Sequence, residues 1–355
     1  MRSAVERFAW RMWHDQAGPA GLIVRFLLLP VEAVWRLAAR ERNRRFERLG
    51  GQGVEGVTVI SIGNVAVGGT GKTPVAAWFV RALSDLGRSP ALVMRGYGAD
   101  EAELHRRWNP AAPVEADADR VAAVRRAADA GADCVVVDDG FQHRRLARAL
   151  DVVLVAVDDP IPGAVLPRGP YREPLEGLRR ADIVIVTRRG GDRTDAERRA
   201  TELRRRGLLR DTATLAALRL TTAHVARLGP HPAHGPFPEA ERLTAWNALE
   251  RPLVVTAIAR PHDFLRDVEA HVGEADLCAF PDHHDFSATD AARVRAEAGT
   301  RPIVVTEKDA IKLAAYVDVL GDAWVVGQRL VWDWGEDLVR RRIEAVVSGP
   351  QGGVQ

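Results

Sequence analysis

The residues best suited to chemistry stand together early in the chain. Gly63-Asn64-Val65-Ala66-Val67-Gly68-Gly69-Thr70-Gly71-Lys72-Thr73 follows a β-branched run at 58–62 and leads through Pro74 into a helical pattern. A strand, a glycine-rich loop and a helix start in that order can turn backbone N–H groups toward phosphate oxygens. Ala66, Val67, Gly68, Gly69, Thr70, Gly71, Lys72 and Thr73 are therefore the candidate nucleotide contacts, with Lys72 reaching the β/γ-phosphates and the Thr73 hydroxyl suited to Mg²⁺. Ala66 takes the first glycine position of G-x4-G-K-[ST], which leaves Gly68, Gly69 and Gly71 to make the turn. A second run, 134–137, ends in Asp138-Asp139-Gly140. Ligands bind at the carboxyl ends of parallel strands, so Asp138 suits a Walker-B-type role toward Mg²⁺, two solvated turn aspartates being the other reading. Phosphate loop plus acidic strand end points to nucleotide hydrolysis or phosphoryl transfer and leaves the acceptor open.

Positioning these groups requires a parallel sheet. Runs at 58–62, 91–94, 134–137, 152–157 and 183–187 read as buried strands, and 74–86, 119–130 and 195–206 as helices. Such alternation implies a mostly parallel sheet covered on both faces. From about residue 208 to 250 the pattern weakens, with a His/Pro/Gly-rich patch at 228–238 where a domain junction is placed. It resumes with strands at 253–258, 277–280, 303–306 and 324–326, helices after Pro261 and from Thr289, and a closing helix at 332–347. The fold class is α/β: a P-loop NTPase-like core domain, a second, smaller α/β domain and an N-terminal amphipathic helix. The expected divisions are 1–48 for the basic helical segment, 49–215 for the core, 216–330 for the smaller domain, and 331–355 for a C-terminal helix with a disordered tail from Gly349.

Composition narrows the class. With 46% hydrophobic and 28% charged residues, the 355-residue chain has the balance of a globular protein. Cys134 and Cys278 are far apart and the only cysteines, so no disulfide framework or CxxC metal site can form and a reducing cytosol fits. Residues 1–50 hold ten Arg against five acidic residues, while the rest is near neutral, which argues for one basic end and against a nucleic-acid groove. Around Pro30, the expected breaking point, Arg25, Glu32, Arg36 and Arg40 share one helix face. Leu22, Ile23, Phe26, Leu27, Val31, Val34 and Trp35 cover much of the remainder. Such a helix can lie at a lipid surface with Arg toward headgroups, or pack on its own core. Of 50 basic residues only Lys72, Lys308 and Lys312 are lysines, so each is expected where an ammonium serves and a guanidinium fork does not. Lys308 and Lys312 lie one helical turn apart, open to a solvated face, an ion pair with Asp309 or a phosphate contact.

Three nucleotide-using classes compete. A GTPase needs an N-K-x-D motif, which is absent. Membrane positioning ATPases begin their loop K-G-G-x-G-K-[ST], where this chain has Val67. A small-molecule kinase needs further motifs, and these are present. Gly63-Asn64, Val67 to Pro74, Arg95-Gly-Tyr-Gly98, Asp138-Asp-Gly-Phe-Gln-His143 with Arg148, Arg172-Glu-Pro-Leu175 with Arg179-Arg-Ala-Asp182, Phe280-Pro-Asp-His283, and Thr306-Glu-Lys-Asp309 with Lys312-Leu313 follow in that order. Together they resemble the tetraacyldisaccharide 4′-kinase family of lipid A biosynthesis from about residue 25 to 315.

The resemblance implies transfer of the ATP γ-phosphate, with Mg²⁺, to the 4′-hydroxyl of an acylated glucosamine disaccharide 1-phosphate. It implies work at the cytoplasmic face of the bacterial inner membrane, a peripheral or monotopic attachment through the N-terminal helix, a hinge between the domains, and no obligate protein partner. It gives Lys72 and Thr73 the phosphate and metal contacts, places Asp138, Asp139, Gln142 and His143 in the metal and catalytic centre, and makes Arg172 a phosphate-facing arginine. Arg120 matches the arginine of a D-R-V-A helix start. Asp100, in the shortened Ala99-Asp100-Glu101-Ala102 that follows Gly98 at once, takes the role of an aspartate paired with His283 as proton acceptor. On residues alone His283 reads equally as a loop histidine beside His284. Arg168 stands where the family pattern L-P-A-G has Ala.

Overall fold

The computed structural model describes residues 4–14, 16–96, 99–229, 243–258 and 260–348. Its helices are α1 (Ala4–Trp13), α2 (Gly18–Leu27), α3 (Leu29–Leu49), α4 (Lys72–Asp85), α5 (Ala99–Trp108), α6 (Arg120–Asp129), α7 (Arg193–Arg205), α8 (Pro261–Val272), α9 (Ala288–Ala298), α10 (Glu307–Leu313), α11 (Val317–Leu320) and α12 (Glu336–Ser348). Its strands are β1 (Thr58–Asn64), β2 (Pro90–Met94), β3 (Val114–Ala116), β4 (Cys134–Asp138), β5 (Leu150–Ala156), β6 (Ile183–Arg188), β7 (Thr214–Arg227), β8 (Leu253–Thr256), β9 (Asp276–Ala279), β10 (Ile303–Thr306) and β11 (Ala323–Trp334). The chain forms two compact units: Arg2–Arg95, Ala112–Arg219 and Trp332–Gln355 make the larger, and Gly96–Ala111 with Leu220–Val331 the smaller.

In the larger unit the strand order is β3-β2-β4-β1-β5-β6-β7, with parallel pairing throughout. Both faces are covered, so the strands are apolar on both sides, and Ile60, Ile62, Val152, Val153, Val184 and Ile185 are wholly buried. The β1/β4 register sets Ile62 beside Asp138, which brings the acidic strand end next to the strand that feeds the glycine loop. Helix α4 is buried nearly all round, with Phe79 and Leu83 inaccessible to solvent. A helix so enclosed holds its N-terminus in place. Gly63 near the end of β1 is required by packing, because a Cβ there would come within 2.5 Å of Phe141 Cβ.

The smaller unit has strand order β7-β11-β10-β8-β9, with β11, β10, β8 and β9 parallel. Val255, Ile303, Val305, Val294 and Leu313 make one continuous core with Val325.

Several elements depart from the sequence reading. β7 runs for 14 residues through the stretch where the pattern fades. Ala, Thr, Arg219 and His224 interrupt its aliphatic residues, yet Ala216, Ala217, Leu218, Leu220 and Val225 are buried, so tertiary packing overrides weak strand propensity. Helix α5 is new, and its residues group with the smaller unit rather than with the 49–215 core, because Ala102, Leu104 and Trp108 are buried and Trp108 Nε1 donates to Glu307 Oε1 at 3.3 Å. The closing helix starts at Glu336, since Trp332, Asp333 and Trp334 finish β11. Asp333 there takes a two-pronged pair from Arg188, at 2.7 and 2.8 Å. The N-terminal helix is broken at Leu28, with Pro30 in the first turn of α3 as expected. Glu32, however, turns inward to Arg168, Arg36 and the Val165 N–H instead of sharing an outward charged face. Residues 230–238 of the His/Pro/Gly-rich patch and the tail from Gly349 lie outside the described residues.

Candidate active site

In the larger unit the glycine loop is held from two sides. Asn64, the last residue of β1, donates through Nδ2 to Thr70 Oγ1 at 2.9 Å. The segment 165–173 runs alongside: Val67 N donates to Pro170 O and Arg172 N to Val65 O, both at 2.8 Å. Gly71, with φ +88°, makes the left-handed turn into α4 that a side chain would disfavour. Lys72 and Thr73 thus open α4, where the backbone dipoles favour an anion.

Asp139 is the hub. Arg172 Nη1 donates to both its oxygens at 2.9 and 3.0 Å, and Lys72 Nζ lies 3.5 Å away. Burial pushes this carboxyl up, but Lys72 and Arg172 more than offset that and hold it below its ordinary value. Arg172 also donates to Gln142 Oε1 at 3.4 Å, while Gln142 Nε2 donates to Asn64 O at 2.7 Å and to Glu173 Oε1 at 3.2 Å. Asp138 is buried beside β1. Arg120 is buried at the start of α6, its guanidinium depressed by burial and by Arg95 and supported by the charges of Asp139 and Asp138. Burial, and then Arg120, push the His143 imidazole below its ordinary value. The structure therefore brings Lys72, Asp138, Asp139, Arg172, Gln142, Arg120 and His143 into one neighbourhood of one unit. Thr73 and Asp138 offer hard oxygen donors and no thiolate or imidazole, a donor chemistry that fits Mg²⁺. Among the described residues no group of three or more His, Cys, Asp or Glu could hold a metal unaided.

The second constellation lies within the smaller unit. Asp100, in the first turn of α5, has a side chain 1% exposed, and its Oδ2 sits 3.6 Å from His283 Nδ1. His283 has φ +59° and Asp139 +55°, two of the three described non-glycine residues in the left-handed region, a conformation that costs on the order of 1 kcal/mol and gathers at functional sites. The expected divisions set Asp100 in the 49–215 core and His283 in the smaller domain; the contact forms inside one unit, because α5 belongs to it.

Sequence reasoning missed several partners. Glu173 is fully buried and takes Arg180, Gln142 and Asn43, a role its place next to Arg172 could have suggested. Trp35 Nε1 donates to Arg172 O at 3.0 Å, which no local pattern signals across 137 residues. Asp309 feels the charge of Lys308 but makes no ion pair within 4 Å with either lysine. It accepts from Thr256 Oγ1 and Thr306 Oγ1, both at 2.7 Å, and burial raises it above the ordinary carboxylate value. Lys308 and Lys312 reach Asp100 and His283 instead.

A parallel sheet, a glycine loop opening a buried helix, and an adjoining aspartate-arginine centre define a P-loop protein of the phosphoryl-transferring class. The family profile for tetraacyldisaccharide-1-P 4′-kinase, LpxK, matches residues 24–110 and 100–348. The chain belongs to that family. The tetraacyldisaccharide 4′-kinase of Anaeromyxobacter dehalogenans strain 2CP-C is 38% identical over 330 residues, covering 85% of this chain and 84% of the relative. That of Syntrophus aciditrophicus strain SB is 35% identical over 340 residues, covering 86% and 88%. LpxK of Aquifex aeolicus, crystallised with ATP, has the same fold at 22% identity, with a TM-score of 0.69 over 91% of this chain and 99% of that one.

Proposed function

We propose that this kinase transfers the γ-phosphoryl group of ATP to the 4′-hydroxyl of a tetraacylated glucosamine disaccharide 1-phosphate. The observation that carries the reading is the family match over 24–348 with its phosphate loop built intact. The loop N–H groups and Lys72 bind the donor's phosphates, and Arg172, now held by Asp139, turns to the transferring group; fixed charges of this kind supply most phosphoryl-transfer catalysis. Thr73 and Asp138 would hold Mg²⁺, which when bound neutralises charge on the β- and γ-phosphates. A sugar hydroxyl is a poor nucleophile, so His283, oriented by Asp100, takes its proton as the bond to phosphorus forms, worth about 10²–10⁴-fold. Arg120, Gln142 and His143 line the centre.

The work is done at the cytoplasmic face of the inner membrane. No helix among the described residues is long and apolar enough to cross a bilayer. Leu22, Ile23, Phe26, Leu27, Val34 and Leu37 on α2 and α3 are nevertheless 62–72% exposed, which favours seating in an interface over packing on the protein's own core.

Transfer of ³²P from labelled ATP to the disaccharide 1-phosphate tests the reading, GTP serving as the competing donor. Label appearing only as free phosphate would instead mark a positioning ATPase.

A further inference from the structure

Two of the chain's three lysines stand beside the proton-accepting pair, and their contacts differ. Lys312 Nζ donates to the carbonyl oxygens of His283 and His284, both at 3.1 Å, and lies 3.3 Å from Asp100 Oδ2. It also has Asp285 at 3.3 Å. These bonds hold the backbone of the turn. Lys308 Nζ lies 3.3 Å from the imidazole itself, at Nε2. Glu101 Oε1 at 3.4 Å, with Asp100 Oδ2 and Asp282 Oδ1 at 3.9 Å, keeps that ammonium in place.

An ammonium has three donors and no acceptor, so its bond to Nε2 requires a lone pair on that nitrogen. In a neutral ring the proton then sits on Nδ1, the atom 3.6 Å from Asp100 Oδ2. The Asp100 carboxylate lies 3.6 Å from Nδ1 and the Lys308 ammonium 3.3 Å from Nε2, with Asp282 Oδ1 more distant from Nε2 at 4.0 Å, so the charges at the two ring nitrogens favour the same tautomer.

We propose that Lys308 is a positioning residue for the transfer reaction: it fixes His283 with the proton on Nδ1 and the lone pair on Nε2, the nitrogen that accepts the sugar's proton. The proposal rests on the reading of His283 and Asp100 as the proton-accepting pair. In the step, the hydroxyl proton passes to Nε2, the oxygen forms its bond to the γ-phosphorus, and ADP leaves with the electrons of the bridging bond. Lys308 gives up Nε2 to the hydroxyl and keeps its carboxylates. A lysine suits this because one N–H on a flexible stem can yield, whereas a planar guanidinium commits several donors at once.

The test uses the full chain with ¹⁵N-labelled histidine. The wild type is expected to show a pyridine-type Nε2 and a pyrrole-type Nδ1 for the neutral ring of His283. Lys308→Met is expected to lose that preference and to lower kcat by about tenfold or more, at the small end of general-base effects, with the KM for ATP within about twofold. Lys308→Arg, which keeps charge and donors, should restore part of the tautomer signal. A pyrrole-type Nε2 in the wild type overturns the proposal and needs no variant to fold. Unchanged spectrum and kcat in Lys308→Met overturn it too. The two possible failures are separable, because normal turnover in His283→Ala removes the underlying reading whatever the spectra show.

Discussion

Asp100→Asn keeps the shape of the side chain and removes its charge at a position 1% exposed. As His283 takes the acceptor's proton it becomes an imidazolium 3.6 Å from Asp100 Oδ2. At an effective dielectric of about 20, a unit charge pair at that distance is worth about 4–5 kcal/mol. Lys312, at 3.3 Å from the same oxygen, opposes part of this field. Halving the figure gives about 2–3 kcal/mol, or about 10²-fold in kcat. The assay is ³²P transfer at saturating ATP and disaccharide 1-phosphate for Asp100→Asn, His283→Ala and the double variant. Each single change should cost about 10²-fold, and the double variant at most about threefold beyond the worse single one, because groups acting as a unit are non-additive. Affinity for ATP should hold, since neither residue belongs to the phosphate loop. A double variant reduced by the full product, about 10⁴-fold, would show two independent contributions. Near-normal kcat for Asp100→Asn alone would refute the charge argument outright.

Lys72→Met should lower transfer by about 10²–10³-fold while the protein still folds, as expected for a fixed charge on the transferring group; more than a tenth of wild-type activity would deny it the phosphate role. Gly63→Ala should destabilise by about 1–3 kcal/mol through the forced Cβ contact with Phe141, and thermal unfolding should show a drop of several degrees. Asp290 accepts from Ser287 Oγ, Ser287 N and His284 Nε2, contacts that lower its carboxyl from 3.8 to about 2. A carboxyl depressed by folding stabilises above its unfolded value, so this contribution should be lost as pH falls from about 4 to about 2. Asp290→Asn should flatten the urea midpoint across that window, and an unchanged pH slope would count against it.

How far the sequence reaches depends on the range of the interaction. The loop of residues 66–73 and the ends of β1 and β4 are legible because glycine, β-branched runs and strand-end aspartates act within a few residues. Their convergence follows from parallel pairing, so Asp138 falls beside Ile62. β7 was hidden because its Ala-rich strand draws stability from neighbours far along the chain. α5 was hidden because its polar, charged sequence shows no clear apolar face until the burial of Ala102, Leu104 and Trp108 is known. The rarity of lysine was a true signal whose content lay elsewhere: composition marked Lys308 and Lys312 as special, and only the fold brings them to His283.

The inward turn of Glu32 carries a consequence for descent as well as for packing. Its carboxylate lies in the protein, with Arg36 one turn on and Arg168 reached across 136 residues. Burial pushes that carboxyl up, but the two cations more than offset it and hold it below the ordinary carboxylate value. Replacing Arg168 alone by alanine leaves that carboxylate with Arg36, whose side chain is 33% exposed, and the Val165 N–H, so part of the roughly 3–5 kcal/mol cost of breaking a buried ion pair is incurred. Neutralising Glu32 first removes the demand. Positions 32 and 168 are therefore energetically coupled, and a change at one alters the cost of a change at the other. In lineages that carry alanine at position 168, the residue at position 32 should be uncharged or matched by a new cation. An ancestor rebuilt with Glu32 kept and alanine in place of Arg168 should be the least stable of the four combinations.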